Sequence, residues 1–309
     1  MIPDLSIDLG PLHLQSPLIL AASPWGAEAV KLGGSGIGAL TMNSIGPRPR
    51  RGHPQPNLHD WGEGMINAVG LDNPGAEAAV PLLAGLKAAL AEQGVTLVVS
   101  LFADTARGYH DVARTLAQVE PELVEVNISC PNVEEEFGAP FATQCIPAAE
   151  ATRAVREALT CPISVKLAPN VPNLTQIAEA VINAGADMLT VSNTMPGMVI
   201  DVETRRPVLT NRSGGVSGAA LRPIAVRMVY ELYEAFGRDG GPPIIGTGGV
   251  LHGRDAVEMV MAGATAVGLA TVAHRHGAAG LRRVLTEMDK WLSAHGVAKL
   301  ADIRGAAHG

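Results

Sequence analysis

A chain of 309 residues, 47% apolar but only 3% aromatic, can fill a sizeable core only with Ala, Val, Leu and Ile, the mixture of parallel strands covered by helices. The formal charge of -7 excludes a blanket of positive potential, so neither nucleic acid nor an anionic membrane is expected as a partner. Three irregularly spaced cysteines, Cys130, Cys145 and Cys161, make neither a disulfide framework nor a zinc site, and with no signal peptide or membrane-length apolar run the expected location is a reducing cytoplasm.

In chain order, residues 6–14 read as two short strands about Gly10-Pro11, a small hairpin, and residues 17–22 as the first core strand. A second short strand follows at 38–43. Residues 44–73 have no clear period and are crowded with Pro, Gly, Arg and His. Anchored by Trp61, Met65, Ile66 and Leu71, they are expected to form a folded loop over the mouth of a site. From residue 74 the alternation is regular. A helix at 74–93, a strand at 95–102, a helix at 104–118 and a strand at 123–128 are followed by a helix at 146–159 and a strand at 162–167. Next come a helix at 173–184, a strand at 187–192, a loop through Gly218 and a helix at 221–236. The series closes with a strand at 243–246, a helix at 254–262, a strand at 264–270 and a last helix at 277–295.

Core strands joined in parallel through helices or long connections predict an α/β protein, a (β/α)8 TIM barrel with a short N-terminal β-hairpin and inserted active-site loops. The echo of Asn183-Ala-Gly-Ala-Asp in Met261-Ala-Gly-Ala-Thr, each ending a helix and launching a strand, agrees with this reading. No linker or low-complexity segment divides residues 1–309, so one domain is expected. A doubly wound sheet would have the same periodicity.

Barrel chemistry sits at the C-terminal ends of the strands. Those ends carry Ala22-Ser23, Thr41-Met42-Asn43, Asn127 to Cys130, Lys166, Ser192-Asn193-Thr194, Gly246 to Gly249 and Ala270-Thr271. Alone, the Cys130-Pro131 turn reads more readily as a strand end with a small buried thiol than as a reactive centre. Lys166 stands in the apolar strand Ile163-Ser-Val-Lys-Leu-Ala-Pro, where its ammonium needs an anion or a strongly polar ligand, unless it snorkels from the strand end. The other four lysines fall in helical stretches, where a solvated face accounts for them. Glycine turns at Gly214-Gly-Val-Ser-Gly218, Gly246-Thr-Gly-Gly249 and Gly268-Leu-Ala-Thr271 would let main-chain N–H groups approach a phosphate.

Several of these stretches resemble dihydroorotate dehydrogenases: Asn127-Ile-Ser-Cys-Pro-Asn132, Gly64-Met-Ile-Asn-Ala-Val-Gly-Leu-Asp-Asn-Pro-Gly75, Val165-Lys-Leu-Ala-Pro-Asn-Val171, Asn193-Thr-Met-Pro-Gly-Met198, Gly214-Gly-Val-Ser-Gly218 and Ile245-Gly-Thr-Gly-Gly249. Cysteine at the base position resembles class 1, and the loop at 64–75 looks most like class 1B. The resemblance implies FMN and oxidation of dihydroorotate to orotate in pyrimidine biosynthesis. It makes Cys130 the base, with Lys166 catalytic and beside the flavin. FMN would be bound by Ala22, Ser23, Asn127, Lys166, Asn193, Gly218, Gly248, Gly249, Ala270 and Thr271. The pyrimidine-like substrate would meet Thr41, Asn67, Gly70, Leu71, Asn127, Asn132, Asn193 and Thr194, and no metal is expected.

A homodimeric core and a partner subunit with FAD and an iron–sulfur cluster are further implications of the resemblance. One departure is clear. The family pattern places a lysine at the end of the second strand, where this chain has Leu40-Thr-Met-Asn-Ser, so Thr41 or Met42 takes the position and Arg48, Arg50 or Arg51 is left to supply a charge. Glu134-Glu135-Glu136, after Cys130, reads as a solvated lid face. Alternatives left open are the same chemistry on another cyclic amide or alkene, and a non-redox phosphate-binding isomerase or aldolase using Lys166.

Overall fold

Strands buried on both faces need continuous apolar runs, and eight such runs build the frame of this protein. The structure, a computed structural model, describes residues 2–26, 28–129, 141–238 and 240–309. A hairpin of β1 (Ile7–Leu9) and β2 (Leu12–Leu14) comes first, turning at Gly10 with φ 63°. It lies at the N-terminal end of the barrel, where a Cβ at Gly10 would be 3.5 Å from Met188, the first residue of β10 (Met188–Val191).

The barrel closes through β3 (Leu18–Ser23), β4 (Ala39–Met42), β7 (Thr96–Leu101), β8 (Leu123–Asn127), β9 (Ile163–Leu167), β10, β15 (Ile244–Thr247) and β16 (Ala266–Leu269), which returns to β3. Every neighbouring pair is parallel, as the apolar runs led us to expect of a (β/α)8 barrel. The connecting helices are α1 (Glu28–Gly33), α2 (Ala76–Ala91), α3 (Ala106–Leu116), α4 (Cys145–Ala158), α5 (Leu174–Asn183), α6 (Arg222–Leu232), α7 (Gly253–Met261) and α8 (Thr271–Ala294). Local sequence sets their starts. Thr105 accepts from the Gly108 amide at 3.0 Å to cap α3, and Asn173 accepts from Gln176 at 3.1 Å to cap α5. Asp255 accepts from the Leu251 and His252 amides at the head of α7. None of the helices among the described residues is long and apolar enough to cross a membrane.

Three features differ from the sequence expectations. The segment at 44–73 is not free of regular structure: β5 (Leu58–Asp60) and β6 (Met65–Asn67) join β11 (Met195–Gly197) and β14 (Gly214–Ser217), both from the loop before Gly218, in an antiparallel sheet of order β11-β14-β6-β5. Strands of three or four residues are too short to show a period, and β6 finds its partner β14 some 150 positions away in the chain, where Gly215 faces Asn67. This sheet has a small core of its own, with Ile66, Ala68 and Leu209 buried against Trp61 and Val216, and between β11 and β14 the chain makes the two-residue pair β12 (Ile200–Asp201) and β13 (Arg206–Pro207). A short helical segment from Thr271 precedes Gly277, whose non-helical φ of 55° breaks α8 in two, and the helix expected from 277 is its second part. The short α1 had no apolar period strong enough to read.

Candidate active site

At the C-terminal ends of the barrel strands, roofed by the four-stranded sheet, lies a cavity of about 570 Å³. Strand β8 delivers Asn127 to its wall. The Asn127 Nδ2 donates to Ser44 Oγ at 2.9 Å, its Oδ1 accepts from the Ser129 amide at 3.2 Å, and its backbone carbonyl accepts from the buried Tyr109 hydroxyl at 2.8 Å. Just after β10, Asn193 donates from Nδ2 to the Ser129 carbonyl and hydroxyl, both at 3.0 Å, and its Oδ1 accepts from the Thr194 amide at 2.8 Å. Two carboxamides, one on β8 and one just after β10, are thus held through one serine. Their orientation is fixed before any ligand arrives.

Lys166 stands between them, because β9 pairs with both β8 and β10 and Lys166 is in register with Asn127 and Thr190. It is 6% exposed, lines the cavity, and its Nζ is 3.4 Å from Glu125 Oε1. Beneath this level the barrel interior mixes polar side chains with Ile19, Val98 and Ile245. Thr41, Glu125, Ser164, Thr190 and Thr247 surround a space of about 10 Å³.

The roof contributes Asn67, whose Nδ2 donates to the Gly215 carbonyl across the β6–β14 pair, with Gly70 and Leu71. On the opposite wall Ser23 Oγ is 2.9 Å from His274 Nε2, and the His274 ring stacks on Trp25 with centroids 4.5 Å apart. Desolvation in this corner lowers the His274 pKa below the ordinary histidine value, favouring the neutral ring. Thr271 donates to Ser217 Oγ at 3.0 Å, tying α8 to the roof, and its methyl group would be 3.4 Å from a Cβ at Gly218.

Of the residues singled out from sequence, Ala22, Ser23, Asn67, Gly70, Leu71, Asn127, Lys166, Asn193, Thr194, Ala270 and Thr271 line this one cavity. Thr41 does not: it lies in the closed layer below, and the residues of its segment that reach the cavity are Asn43 and Ser44. Strand β4 ends at Met42, one residue short of the expected 43, and only the residues that follow it open into the mouth. Gly218 lies against Thr271, while Gly248 and Gly249 pack against Ala225 and Arg222 beside the cavity rather than in its lining. Cys130, Asn132 and Glu134 to Glu136 lie outside the described residues.

Arg50 and Arg51 line an adjoining cavity of about 790 Å³ that shares Pro24, Asn43 and Asp72 with the first; Arg48 lines neither. Sequence reasoning missed Ser44, His53, Asn57, Ser217 and His274, all of which line the main cavity. Ser44 alone carried a usable signal, a hydroxyl just past a strand end. The other two cysteines are elsewhere: Cys145 opens α4, and burial pushes the Cys161 thiol up, away from the thiolate form.

The dihydroorotate dehydrogenase family model matches residues 5–292. The catalytic subunit of dihydroorotate dehydrogenase B (NAD(+)) from Pelobacter propionicus is 37% identical over 313 residues, covering 99% of each chain. The subunit of the same name from Desulforudis audaxviator is 39% identical over 307 residues, 98% of this chain and 97% of the other. Among solved structures, DHODH from Eimeria tenella in complex with ferulenol shares the fold at a TM-score of 0.85 and 23% identity, over 99% of this chain and 89% of that one.

Proposed function

The chain belongs to the dihydroorotate dehydrogenase family, and from that premise we propose that it is the FMN-dependent catalytic subunit of a class 1B enzyme, oxidising dihydroorotate to orotate in pyrimidine biosynthesis. The residues present fit FMN. The cavity volume of about 570 Å³ falls inside the range of roughly 300–1,000 Å³ usual for small-molecule and cofactor sites. The buried Lys166 ammonium opens onto it, and the turn at Gly218 (φ 83°), against the lining residue Thr271, carries no side chain where a phosphate would need main-chain N–H groups. In this reading Ala22, Ser23, Asn127 and Asn193 hold the ring, Lys166 faces its N1/C2 edge, and Gly218, Gly248, Gly249, Ala270 and Thr271 hold the ribityl phosphate. FMN, when bound, supplies the acceptor for the hydride that leaves C6 of the substrate.

The chain's own groups do the rest. Asn67, Asn127, Asn132 and Asn193, with Gly70, Leu71 and Thr194, bind the pyrimidine edges, since a carboxamide both donates and accepts. The hydrogen bonds of Asn127 and Asn193 to Ser129 keep these amides oriented, so less ordering is lost on binding. Cys130 follows Ser129 directly and serves as base. Its thiolate takes the C5 proton, and the electron pair left behind forms the C5–C6 double bond as hydride departs from C6. A thiol whose unperturbed pKa is about 8.5 becomes an effective base near neutrality when its surroundings lower that value.

The class 1B resemblance supplies the exit for the electrons, a partner subunit carrying FAD and an iron–sulfur cluster, a group that three scattered cysteines could not ligate in this chain. A homodimeric core in the cytoplasm completes the proposal. The observation that carries it is the convergence of Asn67, Asn127, Lys166 and Asn193 on one cavity. Anaerobic addition of dihydroorotate to the flavin-loaded protein should bleach the flavin band near ~450 nm with formation of orotate. Cys130→Ala should bind FMN and fail to bleach. A wild-type flavin that stays oxidised would refute the substrate, and normal bleaching in Cys130→Ala would refute the base.

A further inference from the structure

Glu125 is 4% exposed, on β8 two residues before Asn127 and therefore on the same, inward face of the strand. Nothing in the packing of a barrel core calls for a carboxylate there, and burying one is costly without partners. Its partners are specific. Ser100 Oγ donates to Glu125 Oε1 at 3.2 Å, and Lys166 Nζ is 3.4 Å from the same oxygen. Ser100 Oγ is in turn 2.8 Å from Ser44 Oγ, which accepts from Asn127 Nδ2. One hydrogen-bonded chain therefore runs from Asn127 on the cavity wall, through Ser44, Ser100 and Glu125, to Lys166. At 3.4 Å the ammonium–carboxylate contact is longer than the ~2.7–2.9 Å of a full charge-assisted bond, and an ammonium has three donors. The ammonium is held back by one carboxylate below it while keeping donors free toward the cavity.

We propose that Glu125 is a positioning residue that sets how closely Lys166 approaches the cofactor edge, and through it the reduction potential of the bound flavin. This rests on the reading that Lys166 faces the flavin. A cation near that edge stabilises the negative charge gained on reduction, so a carboxylate that restrains the cation holds the potential down.

The test is a set of flavin midpoint potentials on the FMN-loaded chain at pH 7, for wild type, Glu125→Gln, Lys166→Met and the double variant. Lys166→Met should lower the potential. Glu125→Gln should raise it by the equivalent of at least a tenfold change in the reduction equilibrium, about 30 mV for a two-electron couple. In the Lys166→Met background the same Glu125→Gln change should have less than a third of that effect. An equal shift in both backgrounds, a shift downward, or none would overturn the proposal while leaving the Lys166 reading intact. An unmoved potential in Lys166→Met would instead overturn that reading, and the proposal with it. Should Glu125→Gln fail to hold FMN, Glu125→Asp keeps the charge and draws it one methylene further from Lys166. It should then raise the potential by a smaller step, and an unchanged value would refute the positioning role.

Discussion

Arg275→Ala should loosen the roof of the site. Arg275 lies in the first segment of α8, before the kink at Gly277. Its Nε and Nη2 donate to the two Asp60 oxygens at 2.7 and 2.6 Å, and Nη2 also donates to the Gly62 carbonyl at 2.8 Å and to that of Gly64 at 3.3 Å. The side chain thus clamps the turn between β5 and β6 onto the barrel. Its side chain is 17% exposed but that of Asp60 is 39%, so solvent screening trims the pair. An exposed ion pair contributes about 0–1 kcal/mol, and hydrogen bonds to charged groups about 1.5–3 kcal/mol, which places this bidentate clamp at roughly 1.5–2 kcal/mol.

The Arg275 guanidinium holds the Asp60 carboxyl below the usual carboxylate range, chiefly through their side-chain hydrogen bonds and against an opposing effect of burial. A depressed carboxyl gives a sign that can be checked. The unfolded chain binds more protons between about pH 4, the unfolded value, and the lower native value, so the stabilisation is complete above that window and fades as pH falls through it. Urea unfolding of wild type and Arg275→Ala should differ by roughly 1.5–2 kcal/mol at pH 7 and by less near pH 3. Because Asn67 sits on β6, the variant should also show a higher KM for dihydroorotate with a smaller change in kcat. A difference under ~0.5 kcal/mol, equal at both pH values, or strict additivity with Asp60→Ala in a double-mutant cycle, would refute the clamp.

Gly249 has φ 80°, and a Cβ there would stand 2.6 Å from the Arg222 backbone nitrogen. Gly249→Ala should therefore strain the turn by about 1–3 kcal/mol and weaken FMN binding at least tenfold in a titration of the apoprotein, unchanged affinity being the contrary result. His274 has its pKa lowered by desolvation, so the native state binds fewer protons than the unfolded one. Its contribution is complete above about pH 6.5 and is lost as pH falls through the native value, and the denaturation midpoint of His274→Gln should fall less than that of wild type on going from about pH 7 to 5.

The eight barrel strands were legible because parallel strands buried on both faces read as continuous Val, Ile and Leu runs. Lys166 was legible for the opposite reason, as an ammonium set in such a run. The roof sheet was not, since three-residue strands carry no period and β6 is completed by β14 far along the chain. Thr41 was chosen over Asn43 and Ser44 because the residue at which a barrel strand opens into the mouth depends on stagger, which composition does not encode. Ser44, Glu125 and His274 are ordinary residues in the sequence. Their significance comes from Asn127, Lys166, Ser23 and Trp25, brought to them by strand closure.

The sequence by itself therefore determined the series of buried parallel strands, the family resemblance and the residue types able to carry the chemistry, because these depend on local periodicity and on motifs short enough to read in order. Only the tertiary structure decided which of those residues share a cavity, that Thr41 lies beneath it, and that a buried carboxylate stands behind Lys166. Those are relations between strands distant in sequence, and they exist only once the barrel has closed.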